Sequence, residues 1–159
     1  MGEVLHLFQC LVHRFPMEEL DEAEAVANKG FKGCIHGRSE SKRQVSLMDC
    51  ETLERLGVAP GVVKENISTR GMDFRALRPG QILRAGEECV LEITEPCHPC
   101  SRMDEIRMGL QEELRGQRGW LCKVMVGGRI RRGDRIEVFE TGDQIVTAAT
   151  AKGTAPTTS

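Results

Sequence analysis

The fold is decided by the stretch QILRAGEECVLEIT, which spans residues 81–94. Two short apolar runs, 81–83 and 89–94, lie on either side of Gly86, and glycine readily forms tight turns. Short apolar runs separated by a glycine turn predict two antiparallel strands joined as a hairpin. The stretch therefore indicates a protein built from β-strands.

Other apolar runs predict further strands on both sides of this hairpin. We predict strands at 4–12 and 62–67, and a second hairpin in which 120–126 pairs with 129–139 across Gly127 and Gly128. The acidic segment 17–28 fits either a short helix or an exposed edge strand.

Helical patterns are fewer. Asp49 can cap a short helix that ends at Gly57, where glycine can adopt the left-handed conformation. Ser101 followed by Asp104 is similar to a capping box and predicts a second helix over 101–115. The apolar face of that helix consists of Met103, Ile106, Leu110 and Leu114. The pattern as a whole predicts a mostly β fold, a closed antiparallel β-barrel with two or three short helices.

Length and composition limit the possible functions. The 159 residues fit one domain, and we assign 1–142 to it and 143–159 to a flexible C-terminal tail. A net charge of −2 and only 4% aromatic residues argue against a nucleic-acid partner. No apolar run approaches the ~20 residues of a membrane span, and no signal sequence is recognisable, so we expect a cytoplasmic protein without a membrane partner.

The seven cysteines include one pair with reactive spacing. An odd count at irregular positions is typical of thiols in a reducing compartment. Cys97-His98-Pro99-Cys100 follows a predicted strand, and Cys100 comes just before the predicted helix, where a thiolate is favoured. Cys100 is therefore the candidate nucleophile, with Cys97 as its potential disulfide partner.

Two other interpretations of these cysteines stay open. A C-x-x-C pair is also found in thiol redox proteins of thioredoxin type, although those need a parallel sheet around it. A zinc site would need Cys34, His36, Cys97 and Cys100 together, with an unusually short gap between the first two. Both are less favoured than a single functional thiol at Cys100.

Polar residues outside the cysteine pair supply further candidates. His36 lies in a glycine-flanked loop that begins at Gly33, and such loops let the backbone approach a ligand. Arg43, Lys64, Arg70 and Arg75 are individually interpreted as solvated surface charges unless a shared pocket unites some of them.

Six short motifs in order resemble the MOSC family, the molybdenum cofactor sulfurase C-terminal domain, in its stand-alone bacterial form. They are Gly33-x-x-His36, 43–47, 65–67, Leu77-x-Pro79-Gly80, His98-Pro99-Cys100 and 127–134. The resemblance extends from about residue 4 to residue 140. It implies a barrel with no appended pyridoxal-phosphate domain.

The resemblance also implies roles for individual residues. Cys100 matches the family cysteine thought to carry sulfur or ligate molybdenum, and His36 matches a retained histidine, while Cys34 replaces an acidic residue. Arg43 and the pair Glu65 and Asn66 match positions expected to bind the cofactor. Gly33 and Cys97 complete the expected cofactor-binding site. The alternative metal site consists of Cys34, His36, Cys97 and Cys100.

The function implied by the resemblance is the handling of sulfur or of the molybdenum cofactor, molybdopterin. Cys100 would accept sulfur as a persulfide or coordinate molybdenum, with an enzyme favoured over a carrier. The expected partners are a small sulfur donor or the pterin, and a cysteine desulfurase or a molybdoenzyme. The alternative is a carrier module that binds the cofactor or a metal without chemistry.

Overall fold

The computed structural model describes residues 2–12, 15–35 and 37–139. These residues contain eleven strands: β1 (Gly2–Gln9), β2 (Glu18–Leu20), β3 (Glu22–Val26), β4 (Gly30–Phe31), β5 (Val45–Asp49), β6 (Ile67–Arg70), β7 (Ile82–Ala85), β8 (Cys89–Pro96), β9 (Trp120–Val126), β10 (Gly128–Arg131) and β11 (Arg135–Phe139). The helices are α1 (Cys50–Leu56), α2 (Met103–Ile106) and α3 (Leu110–Glu113), with a 3₁₀ turn at Phe74–Ala76.

Seven strands form a closed barrel in the order β11-β7-β8-β9-β5-β6-β1. The ring closes because β1 also pairs with β11, with Gly2 opposite Ile136. In the described residues every neighbouring pair is antiparallel except β5 and β6, which run parallel. The expected mostly β barrel with short helices is confirmed.

Two apolar clusters hold the fold together. The first fills the barrel with fully buried side chains such as Leu7, Leu47, Ile67, Leu91 and Ile136. The second lies outside the barrel and packs α1 against α2 and α3; it consists of Met48, Leu53, Val58, Val63, Met103, Leu110 and Leu114. This outer cluster fixes the segment that carries Cys97 and Cys100, since that segment leads directly into α2.

The acidic segment 17–28 forms strands and not a helix; β2 is the expected edge strand, whereas β3 is a central strand. β2 extends the barrel sheet beside β1, and β3 joins β4 and β10 in a separate three-stranded sheet. The short helix after Asp49 is also confirmed, and it ends at Gly57 in the left-handed conformation with φ 71°. Asp49 does not cap it through a backbone amide, because its carboxylate accepts the Thr52 hydroxyl at 2.8 Å instead.

The strand predicted over 62–67 is wrong for most of its length. Residues 58–66 form a loop between α1 and β6, which we call the 58–66 loop, and pairing with β1 and β5 starts at Ile67. Lys64 has a positive φ of 70°, which strand geometry excludes. The apolar residues Val62 and Val63 pack against the outer cluster instead.

The single helix predicted over 101–115 is interrupted. It consists of two four-residue helices, α2 and α3, separated at Gly109 with φ 90°. The Asp104 carboxylate accepts hydrogen bonds from the amides of Gly109 and Gln111, at 3.1 and 3.0 Å, and so it stabilises the break and not a capping box. The predicted apolar face is kept through both pieces, except that Ile106 is exposed.

The second predicted hairpin is also wrong. β9 pairs with β5 and β8, whereas β10 pairs with β3 and β11 pairs with β7 and β1. Gly127 and Gly128 carry the chain from one sheet to the other, and a Cβ at Gly128 would lie 2.6 Å from that of Glu88.

None of the helices in the described ranges has the length and apolar character needed to cross a membrane. The predicted tail, 143–159, lies outside the described residues.

Candidate functional site

One cavity of about 530 Å³ brings together most of the predicted site residues. It opens between the 58–66 loop and the segment 97–102, which we call the thiol loop. Its lining includes Arg43, Glu65, Asn66, Cys97 and Cys100. These residues come from three separate parts of the sequence, and the barrel places them around one space within the size range of small-molecule sites, roughly 300–1,000 Å³.

The thiol loop presents its two cysteines differently. Cys100 is exposed, whereas Cys97 is partly buried. The loop is anchored by hydrogen bonds from the Cys97 amide to the Gly119 carbonyl, at 2.9 Å, and from the Met103 amide to the Cys100 carbonyl, at 3.0 Å. Cys100 lies three residues before α2, a helix of four residues, so the helix dipole expected to favour its thiolate is very small.

The electrostatic surroundings of Cys97 combine opposing effects. Burial raises the pKa of the Cys97 thiol, and the nearby positive charges of Arg118 and Arg43 oppose that rise. The neighbouring groups of Cys100 and Glu95 raise the same pKa further. Arg43 also lies 3.9 Å from the Glu95 carboxylate, which links the wall of the cavity to the end of β8.

Asn66 is buried, and its amide joins three parts of the chain. Its oxygen accepts hydrogen bonds from the Ser46 amide, at 3.0 Å, and from the Ser46 hydroxyl, at 3.3 Å. Its nitrogen donates to the Phe8 carbonyl at 3.1 Å and to the Cys34 sulfur at 3.6 Å. Asn66 therefore fixes β1, β5 and the loop after β4 around the cavity.

Glu65 is a buried carboxyl in the same wall. One oxygen accepts hydrogen bonds from the Gly61 amide, at 2.8 Å, and from the Ser68 hydroxyl, at 2.7 Å. The other oxygen is buried and has no hydrogen-bond partner among the described residues. Burial raises the pKa of Glu65, while these two hydrogen bonds and the charge of Arg118 oppose the rise.

Gly33 and Cys34 lie behind the cavity and do not line it. Gly33 has φ 86°, and Cys34 is buried beside Cys10, whose amide donates to the Cys34 sulfur at 3.3 Å. Cys34 is linked to the cavity through Asn66.

His36 lies outside the described residues, so its predicted role and the four-residue metal site stay predictions. Within 2–12, 15–35 and 37–139, no three His, Cys, Asp or Glu side chains are grouped as metal ligands.

Basic side chains outnumber the two carboxyl residues of the cavity lining, Glu65 and Glu105, and sequence reasoning recognised only part of this. Arg43 and Lys64 do share a pocket, and Arg38, Arg102 and Arg118 join them. Lys64 donates a hydrogen bond to the Phe15 carbonyl. Arg70 and Arg75, the other two expected surface charges, pair instead with Glu54 and Asp73 outside the cavity. Arg102 and Arg118 were missed because no local motif marks them.

The donor set fits a pterin cofactor with a thiophilic metal. Guanidinium and ammonium groups are suited to the anionic groups of such a molecule, and thiolates are soft ligands suited to molybdenum. Arg38, Arg43 and Lys64 would face its anionic part, and Cys100 is the accessible thiol of the cavity. The expected cofactor is therefore compatible with the chemistry of this wall.

Comparisons with known proteins agree with this architecture. A family model described as the MOSC domain matches residues 33–137. A protein of Gibberella moniliformis named "Reductase" is 32% identical over 84 residues, which are 50% of this chain and 15% of that protein. The chain thus spans only a small part of this relative.

Solved structures show the same fold at low sequence identity. The YUAD protein from Bacillus subtilis has a TM-score of 0.73 at 20% identity, over 88% of this chain and 97% of that chain. YiiM from Geobacillus stearothermophilus has a TM-score of 0.70 at 16% identity, over 98% and 84%. YiiM from Escherichia coli has a TM-score of 0.62 at 21% identity, over 85% and 69%. Since the family model matches well over half of the sequence, the chain belongs to the MOSC domain family.

Proposed function

We propose that this protein binds an anionic sulfur donor or a molybdenum–pterin cofactor in the basic cavity and uses Cys100 to carry sulfur or to ligate the metal. The observation that carries the proposal is that the exposed thiol of Cys100 lines the same cavity as five cationic side chains. An accessible thiol beside concentrated positive charge is well placed to react with an anionic ligand, because those charges attract the ligand to the cavity.

The other cysteines are poorly suited to this role. Cys10, Cys34, Cys50, Cys89 and Cys122 are buried. Burial raises the pKa of Cys50 to about 11 and that of Cys89 to about 12, which leaves almost no thiolate at neutral pH. Cys97 lines the cavity but is partly buried, so it fits the role of a partner to Cys100.

Sulfur transfer needs one displacement at Cys100. The Cys100 thiolate attacks the outer sulfur of a donor persulfide, a sulfur–sulfur bond forms, and the sulfur–sulfur bond of the donor breaks. The donor leaves as a thiolate, so no net oxidation occurs and no further reagent is needed. Arg43 and Lys64 would hold the anionic donor, and the predicted role of His36 is to orient it or to accept a proton.

Cofactor binding is the second form of the same proposal. When bound, the cofactor would supply a redox-active metal centre. Arg38, Arg43 and Lys64 would neutralise its anionic groups, Cys100 would be the soft ligand, and Glu65 and Asn66 would keep the wall behind it in place. The relative named "Reductase" favours this form, with redox chemistry in place of simple carriage. The proposed partners are a cysteine desulfurase or a molybdoenzyme in the cytoplasm.

Metal analysis and intact mass of protein purified without oxidation test the proposal. Glutathione persulfide serves as donor, and molybdate with reduced pterin serves as the cofactor probe. We expect either one added sulfur atom or bound molybdenum in the wild type and in Cys97→Ser, and neither in Cys100→Ser. Equal sulfur or metal contents in wild type and Cys100→Ser would contradict the proposal, and metal or pterin that binds both proteins equally, with no added sulfur, would favour the carrier module.

A further inference from the structure

Arg118 connects the two walls of the cavity. One terminal nitrogen, Nη1, donates a hydrogen bond to the His98 carbonyl of the thiol loop at 3.0 Å. The other, Nη2, donates to the Val63 carbonyl of the 58–66 loop at 2.7 Å. We call these two bonds the Arg118 bridge. It joins two loops that are separated in the sequence by β6, β7 and β8.

The backbone that carries Arg118 is firmly held. Its neighbour Gly119 has φ 90°, and a Cβ at that position would lie 2.0 Å from the Leu47 carbonyl oxygen in β5. The Gly119 carbonyl accepts the Cys97 amide at 2.9 Å. The chain at 118–119 is thus pressed against the barrel and bonded to the thiol loop, so the bridge has a fixed base.

The chemistry of the side chain suits this task. A guanidinium is a rigid fork whose two terminal nitrogens can reach two carbonyls at once, whereas an ammonium is a single point of contact. In the part of the chain that the structure describes, no carboxylate lies within ion-pair distance of Arg118. Its positive charge therefore faces the carbonyls and the cavity, where it opposes the rise in the pKa of both Cys97 and Glu65.

We infer that Arg118 is a positioning residue that fixes the thiol loop against the 58–66 loop and so sets the approach of a donor to Cys100. The inference rests on the proposed function for its chemical meaning, whereas the bridge itself can be tested without it. Neither the sequence motifs nor the family match assigns this role to Arg118.

Hydrogen exchange measured by mass spectrometry tests the bridge. Arg118→Met removes both bonds at similar volume, Arg118→Lys keeps the charge with one donor group, and Arg115→Met is the matched control, since the Arg115 side chain is exposed and pairs with Glu112. Loss of a hydrogen bond to a charged group corresponds to about tenfold or more in an opening equilibrium. We expect amides in 61–66 and 97–102 to exchange about tenfold faster in Arg118→Met, with β7 and β8 unchanged.

Several results would overturn the bridge. Wild-type exchange rates in both loops of Arg118→Met would do so, and so would equal acceleration in Arg115→Met. If Arg118→Met does not fold, Arg118→Lys decides the question, because one ammonium is expected to protect only one of the two loops. Unchanged protection of both loops in that variant contradicts the inference.

Sulfur transfer from glutathione persulfide then tests the functional part. In Arg118→Met we expect the maximal rate of transfer to Cys100 to fall about tenfold. The melting temperature of this variant should stay close to that of the wild type. Arg118→Lys keeps the positive charge, so we expect its half-saturating donor concentration to equal that of the wild type. Its maximal rate should stay low, because that rate depends on the position of the thiol loop. An unchanged maximal rate in Arg118→Met would overturn the positioning role. If wild-type Cys100 takes up no sulfur, the proposed function fails, while hydrogen exchange still decides the bridge.

Discussion

The substitution Asn66→Ala probes the centre of the cavity wall. It removes the amide that joins Phe8 in β1 and Ser46 in β5 to the loop after β4. The alanine side chain offers no hydrogen bond, so the Phe8 carbonyl and the Ser46 amide each lose a buried partner.

The expected loss follows from those two groups. A buried backbone group left without a partner costs about 1–3 kcal/mol, so the pair costs about 2–6 kcal/mol. Because Asn66 lines the cavity, water can reach part of the space that the substitution opens. We therefore expect a loss of stability in the lower part of that range, about 3 kcal/mol. Domains of this kind have total stabilities of about 5–15 kcal/mol, so the loss is large but the protein still folds.

Urea titration followed by fluorescence measures this loss. Trp120 is the only tryptophan, is partly buried and donates to the Phe74 carbonyl at 3.1 Å, so its emission reports unfolding of the barrel. Gln81→Ala is the control, since the Gln81 oxygen accepts the Arg78 amide at the surface and its loss should cost about 0.5 kcal/mol. Asn66→Asp should be about as unstable as Asn66→Ala at neutral pH and should recover as the pH falls, because only a protonated carboxyl can donate to Phe8. A loss in Asn66→Ala no larger than in the control would show that the Asn66 amide does not stabilise the cavity wall.

Four further predictions follow from the described contacts. Cys89→Ser should cost about 1–3 kcal/mol because it buries a hydroxyl inside the barrel, whereas Cys100→Ser should cost less than about 0.5 kcal/mol, and equal losses in urea titrations would place Cys100 in the core. Burial raises the pKa of Glu65 above its usual 4.5, so the folded state holds that proton more tightly than the unfolded state does. The stability of the protein should therefore fall as the pH rises from 4.5 toward the folded-state pKa. Thermal melts of Glu65→Gln should lack this part of the fall, and identical pH slopes in the variant and the wild type would contradict it. Gly119→Ala should cost more than about 2 kcal/mol in the same titrations, because its Cβ would meet a carbonyl oxygen, and a melting temperature like that of wild type would be inconsistent with the fold. Mild oxidation should block iodoacetamide labelling of Cys97 and Cys100 together, and peptide mapping that finds Cys34 linked to Cys100 would show a different pairing.

Features set by neighbouring residues were predictable from the sequence. The hairpin of β7 and β8 follows from the turn at Gly86, and the end of α1 follows from Gly57, because both depend on the conformational freedom of one glycine. The apolar face of α2 and α3 was also recognisable, but the break at Gly109 depends on the Asp104 carboxylate folding back onto later amides. Such local competition between side chain and helix is not visible in periodicity alone.

Features set by distant residues were not predictable in the same way. Gly127 and Gly128 have the pattern of a hairpin turn, yet β10 finds its partner in β3, about a hundred residues earlier in the sequence. The cavity depends on the same kind of pairing. Cys100 and Arg43 could be identified from motifs, whereas Arg102 and Arg118 become part of the site only because the barrel brings the thiol loop to the 58–66 loop.

Peptide mapping after treatment with glutathione persulfide asks whether Cys100 is the functional thiol of the cavity. We expect one added sulfur atom on the peptide that contains Cys100, with the same result in Cys97→Ser and no addition in Cys100→Ser. Sulfur added preferentially to the peptide of another cysteine, or added to Cys100 equally well in urea-unfolded protein, would contradict it, because reactivity would then not depend on the cavity.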